Sequence, residues 1–184
     1  MKRLILLAPI ALAACNSGGP TVTATNASAG EVAAKVEAAT AGQSFVSPGH
    51  WDGTMTISEM SLPGMPAQMA EKMKTSMAKA KTFASCLTPE EAKQPKGRFF
   101  GGQSDQCRYD HFTMAGGAID SVMKCNIGGM ERTMTMKGNY SPDSYKMTVV
   151  SAGTATAANP MSGMTMTMTM EAKRTGECTG KETS

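Results

Sequence analysis

From Phe45 onward, apolar and polar residues alternate along the chain with a period close to two. That is the pattern of half-buried strands in an antiparallel sheet. In "HWDGTMTISEM", Trp51, Gly53, Met55 and Ile57 alternate with Asp52, Thr54, Thr56 and Ser58. "MERTMTMKGNY" places Met130, Met134, Met136 and Tyr140 on one face, and "SYKMTVV" does the same for Tyr145, Met147 and Val149. "MSGMTMTMTMEAKR" sends Met164, Met166, Met168 and Met170 to one side of a strand and Thr165, Thr167 and Thr169 to the other. Threonine is β-branched and suits the wet face of a sheet.

Two turn signals set registers. Pro142 and Asp143 in "NYSPDSY" predict a hairpin with Tyr140 opposite Tyr145, Gly138 opposite Met147 and Met136 opposite Val149. "MAGG" at Met114–Gly117 marks another. Centring it on Gly116 sets Cys107 opposite Cys125 and Tyr109 opposite Met123.

One stretch has helical spacing instead. "PGMPAQMAEKMKTSMAKAK" carries Met65, Met69, Met73 and Met77 at intervals of four, with Pro66 near the first turn. "TPEEAKQ" predicts a second, short helix capped by Thr88 and closed by Glu91. The expected fold is mainly β (α+β): a curved antiparallel meander sheet over residues 45–180, with one methionine-faced helix and a second short helix. Helix and sheet are expected to share a methionine-rich interior.

The first residues have another character. "MKRLILLAPIALAAC" has Lys2 and Arg3, an apolar run from Leu4 to Ala14, and small residues before Cys15. It reads as a signal peptide over residues 1–14; the run falls well short of the roughly 20 residues that span a bilayer. Leu12-Ala13-Ala14-Cys15 resembles a bacterial lipobox. The resemblance implies cleavage before Cys15 and a diacylglycerol on its sulfur. Asn16 in the next position implies forwarding to the periplasmic face of the outer membrane. Residues 15–44 are small, polar and free of aromatics, which predicts a flexible tether. Within it, Glu31 to Thr40 has weak helical spacing, with Val32, Val36 and Ala39 on one side.

Charge excludes one class of partner. Lys2 and Arg3 belong to the leader, so 16 of the 18 basic residues face 15 acidic ones, a formal +1. Nothing in that balance points to nucleic acid. Cys15 aside, Cys86, Cys107, Cys125 and Cys178 remain, an even number that in an exported chain predicts two disulfides. Three connectivities are possible; the hairpin register favours Cys107–Cys125, which leaves Cys86–Cys178. The wide spacings do not suit a zinc site.

No catalytic motif is present: the chain lacks G-x-S-x-G, H-E-x-x-H, a Walker loop and G-x-G-x-x-G. Strand alternation sends Asp110 and His111 to opposite faces, against a dyad, and His50 reads as a strand-entry residue. The expectation is a non-enzyme without cofactor or bound metal. Thioethers are soft ligands for Cu(I), but one strand does not wrap four methionines around an ion, and His50 and His111 lie far from them in sequence. Met164, Met166, Met168, Met170, Met134 and Met136 are therefore read as core packing or as the apolar face of a ligand cavity. A methionine-rich copper or oxidant buffer is the alternative.

Several landmarks resemble an uncharacterised family of proteobacterial periplasmic proteins known as a domain of unknown function. They are Pro48-Gly49 with Trp51, "PGMP" at Pro63–Pro66, "CLTPEEA" at Cys86–Ala92, the two middle cysteines, "KGNY", and Gly176 with Cys178. The resemblance implies an envelope protein and assigns no activity. The expected role is binding or envelope maintenance. The expected partners are the membrane, through acyl chains on Cys15, and a small apolar ligand or an envelope protein.

Overall fold

A computed structural model describes residues 19–41, 44–93, 106–156 and 159–180. Cys15 and the leader lie outside them. Eight strands form one open, antiparallel sheet in the order β1-β4-β5-β6-β7-β8-β2-β3. β4 (Cys107–Ala115), β5 (Ala118–Ile127), β6 (Met130–Ser141), β7 (Ser144–Gly153) and β8 (Thr165–Gly176) are a meander. β2 (Gly49–Ser61) and β3 (Lys81–Leu87) extend it beside β8, and β1 (Val22–Ser28) extends it beside β4.

The hairpins follow local chemistry. Gly116 and Gly117 have φ of 57° and 78°, the left-handed pair that a two-residue type I′ turn requires. Cys107 then faces Cys125 and Tyr109 faces Met123, although a shift between Tyr109 and His111 is needed to reach that register. Around Pro142–Asp143, Tyr140 faces Tyr145, Gly138 faces Met147 and Met136 faces Val149, as the alternation predicts. Both disulfides form: Cys107–Cys125, with Cα atoms 4.0 Å apart, and Cys86–Cys178 at 5.4 Å.

The tether expectation fails for residues 22–39, and the sheet domain begins at Val22 rather than at residue 45. β1 pairs with β4, and α1 (Ala29–Ala39) packs behind it with Val32 and Val36 fully buried. Ser28 caps the helix: its Oγ accepts from Glu31 N at 3.2 Å, and Glu31 Oε2 accepts from Ser28 N at 2.6 Å. The small residues of this segment bury well because Ala24, Ala27 and Ala29 let strand and helix lie close to Tyr109, Phe112 and Met114 in one core.

A second correction concerns the methionine-faced helix. α2 spans Ala67–Met77 and buries only Ala70 among its residues. Met69, Met73 and Met77 are 60%, 39% and 36% exposed, so this stripe faces water instead of sharing a core with the sheet. α3 (Pro89–Lys93) matches expectation, with Glu91 N donating to Thr88 Oγ1 at 3.2 Å.

Candidate methionine-lined sheet face

Pairing across the sheet assembles a surface that no single strand contains. Met170 has Met147 on one side and Met55 on the other. One pleat repeat away, Met168 lies between Val149 and Ile57, and Val149 pairs with Met136. In the third row, Met166 lies between Ser151 and Met60, and Ser151 pairs with Met134. A register shift between Ile57 and Glu59 changes the parity of β2, and this brings Met60 to the same side as Met55. Rows are about 6.6–6.8 Å apart along the strands, and neighbouring strands about 4.7–4.9 Å apart.

The candidate residues divide as follows. Met166, Met168 and Met170 lie on β8 and Met134 and Met136 on β6, all half-buried. Met164 follows a short 3₁₀ turn (Pro160–Gly163) and stands outside the strand. Met55, Met60 and Met147 belong to the same face but were not legible as such. Their own alternation is visible in sequence, whereas the placing of β8 between β7 and β2 is a long-range pairing with no local signal. Met134 and Met136 pack against the main core, and Met147 is buried with its sulfur lying over Gly138. The other face of these strands carries Thr54, Thr56, Thr135, Thr148, Thr167 and Thr169.

Two cations stand on this face, Lys81, exposed opposite Met55 at the β3 edge, and Arg132, half-buried among the methionines. Arg132 precedes Met134 by one pleat repeat on β6, and its Nη1 donates to Ser151 Oγ at 3.1 Å. Several other charges on the sheet pair with one another. Lys124 meets Asp110 at 3.1 Å and Lys146 meets Glu171 at 3.2 Å. Lys137 meets Asp120 at 3.0 Å, and His111 reaches the same carboxyl at 3.2 Å. Lys137, then His111, hold the Asp120 carboxyl below its usual range. His111 thus finds a carboxylate across the hairpin, while its neighbour Asp110 turns to Lys124. Both His111 and Asp120 are well exposed, so this is a surface ion pair of small energetic weight.

Histidine-50 also meets a carboxylate, Asp52, at 3.3 Å, and Thr175 Oγ1 donates to the same Asp52 at 2.8 Å. The hydroxyl and the imidazole thus share one carboxylate. A cleft of about 690 Å³ lies where Asp52, Thr54, Lys146 and Glu171 meet Tyr145. Among the described residues no three His, Cys, Asp or Glu side chains gather around a common point, and no helix is long and apolar enough to cross a membrane.

The molecule is thus a disulfide-bonded antiparallel sheet, backed by α1 over the core at one end and with a half-buried methionine face at the other. Residues 46–178 match the model of a family described as a protein of unknown function, DUF3617, and the chain belongs to that family. No curated protein and no solved structure matches it. β1 and α1 precede the matched region.

Proposed function

We propose that this is a lipid-anchored envelope protein, non-enzymatic, that holds an apolar ligand on the methionine face. The observation that carries the reading is the three-row surface around Met166, Met168 and Met170, half-buried on an open sheet. Unbranched thioether side chains adapt their shape to an apolar guest better than branched ones do. Small-molecule sites are lined mainly by apolar side chains with a few placed polar groups, and this face has that composition. The lipobox ending at Cys15 supplies the membrane attachment. With β1 starting at Val22, only six residues separate that cysteine from the sheet, a reach of roughly 20–25 Å from sulfur to strand.

The test is binding of a neutral, polarity-sensitive naphthylamine dye to the full chain, compared with Met168→Asp in the central row. Saturable binding that is lost in the variant supports the reading; equal binding by both defeats it. Palmitate labelling with membrane fractionation of wild type and Cys15→Ser tests the anchor separately.

A second reading, a methionine-rich copper or oxidant buffer, is favoured by the cross-strand pairs Met55–Met170 and Met60–Met166. These bring thioethers side by side in a way that one strand alone does not. Titrating the protein with Cu(I) against a chelator decides it: no saturable micromolar binding removes the copper version.

A further inference from the structure

We propose that the ligand is an anionic amphiphile, its alkyl chain lying over the methionine rows and its carboxylate or phosphate held by Arg132. This rests on the apolar-ligand reading above and names its chemistry. By strand alternation Arg132 shares a face with Met134 and Met136, and Glu131 beside it takes the opposite face. The guanidinium reaches Ser151, which is 8% exposed and pairs with both Met134 and Met166. The cation therefore lies in the Met166 row itself. Lys124, Lys137, Lys146 and Arg174 each have a carboxylate within ion-pair distance. Among the described residues Arg132 and the exposed Lys81 at the β3 edge have none; Arg132 is the half-buried one, and the Ser151 hydroxyl is the one side-chain partner it has.

A guanidinium offers five N–H donors in a planar fork, and among the described residues Ser151 is the one side chain that accepts from it. Drawing such a group half out of water is costly unless an anion meets it. Carboxylate and phosphate fit the fork through two parallel hydrogen bonds. The fold also gives the tail a direction. Opposite Arg132, the space where a β-carbon of Gly153 would stand is filled by the carbonyl of Ser162 in the 3₁₀ turn, which closes that end. The tail runs the other way, over Met166, Met168 and Met170, a distance of roughly 13 Å across three rows.

The experiment uses the full chain in phosphatidylcholine nanodiscs at pH 8.5. Three diazirine-bearing twelve-carbon probes are compared, ending in a carboxylate, a phosphate or an alcohol. We expect an anionic probe to label β6–β8 at least tenfold more than the alcohol, and whichever anion labels more identifies the head group. Arg132→Met should bring that preference to about one while alcohol labelling persists, and Arg132→Lys should retain part of it. Ser151→Ala removes the bond between the strands but keeps the cation, so the preference should hold within threefold. Equal labelling of wild type by all three probes, or a preference that survives Arg132→Met, overturns the proposal. So does a loss in Ser151→Ala as large as in Arg132→Met, which makes the arginine a strand staple. Labelling by none of the probes defeats the apolar-ligand reading itself.

Discussion

The phenol of Tyr140 closes over Gly19: a β-carbon there would stand 2.8 Å from the Tyr140 oxygen. That oxygen is buried and has no hydrogen-bond partner among the described residues. A buried hydroxyl without a partner keeps its desolvation cost and gains nothing in return. Tyr140→Phe should therefore raise stability by about 1 kcal/mol, with the ring still edge-on to Phe45 at 5.5 Å. Urea unfolding measures this, and a loss of more than about 1 kcal/mol would show that the hydroxyl has a partner after all.

The segment before the matched family region is part of the core. Val32 and Val36 are fully buried against the β1–β4 end of the sheet. Val32→Ala or Val36→Ala should each cost about 2 kcal/mol through lost burial and the cavity left behind. A chain starting at residue 45 should expose Phe112 and Met114, bind hydrophobic dyes and aggregate. If both alanine variants unfold at the wild-type urea concentration, α1 is only loosely attached.

The two disulfides should differ in both weight and accessibility. Cys86–Cys178 joins residues 92 apart and Cys107–Cys125 residues 18 apart. Loop-closure entropy gives about 4.5 kcal/mol for the first and about 3 kcal/mol for the second. Cys107 and Cys125 are buried, whereas Cys178 is exposed. Graded reductant with mass mapping should open Cys86–Cys178 first; the opposite order would contradict the packing.

Alkali should weaken the folded state between pH 10 and 12. Burial pushes the Tyr109 phenol up to about 12, and burial likewise raises Tyr140 and Tyr145. In the unfolded chain a tyrosine ionises near 10. Below that pH both states are neutral and stability does not change. From pH 10 to 12 the unfolded state loses its proton first, and stability falls by on the order of 3 kcal/mol for Tyr109 alone. Tyr109→Phe should flatten this decline in urea midpoints measured from pH 9 to 12. An unchanged slope would mean that Tyr109 ionises as readily folded as unfolded.

Oxidation should follow exposure. Met69, Met73 and Met77 on α2 face water, whereas Met114, Met123 and Met147 are buried. Dilute peroxide followed by peptide mapping should find sulfoxide on α2 first, with half-buried Met166, Met168 and Met170 next. Protection of the β8 methionines by an alkyl-chain ligand, with α2 unaffected, would be a further sign that the sheet face is occupied. Rapid oxidation of Met147 would contradict its placement.

Much of this molecule follows from the sequence, because hairpin registers depend on turn residues and on period-two alternation. Both are local, so Tyr140–Tyr145 and Cys107–Cys125 were legible, and once the second pair was placed Cys86–Cys178 followed. The alternation also identified one methionine face on β6, β7 and β8 separately. The alanine-rich segment at Val22–Ala39 reads as a tether in sequence because small side chains carry little hydrophobic signal, yet it forms β1 and α1. Their value appears only when a strand and helix pack closely on Phe112. The stripe on α2 departs from expectation for the converse reason: apolar periodicity shows that a helix has a face, and tertiary packing decides whether anything covers it. Only the tertiary structure seated β8 between β7 and β2 and turned Met60 inward through a bulge. Those arrangements depend on pairings between residues up to about a hundred positions apart, and chain connectivity alone does not select among them.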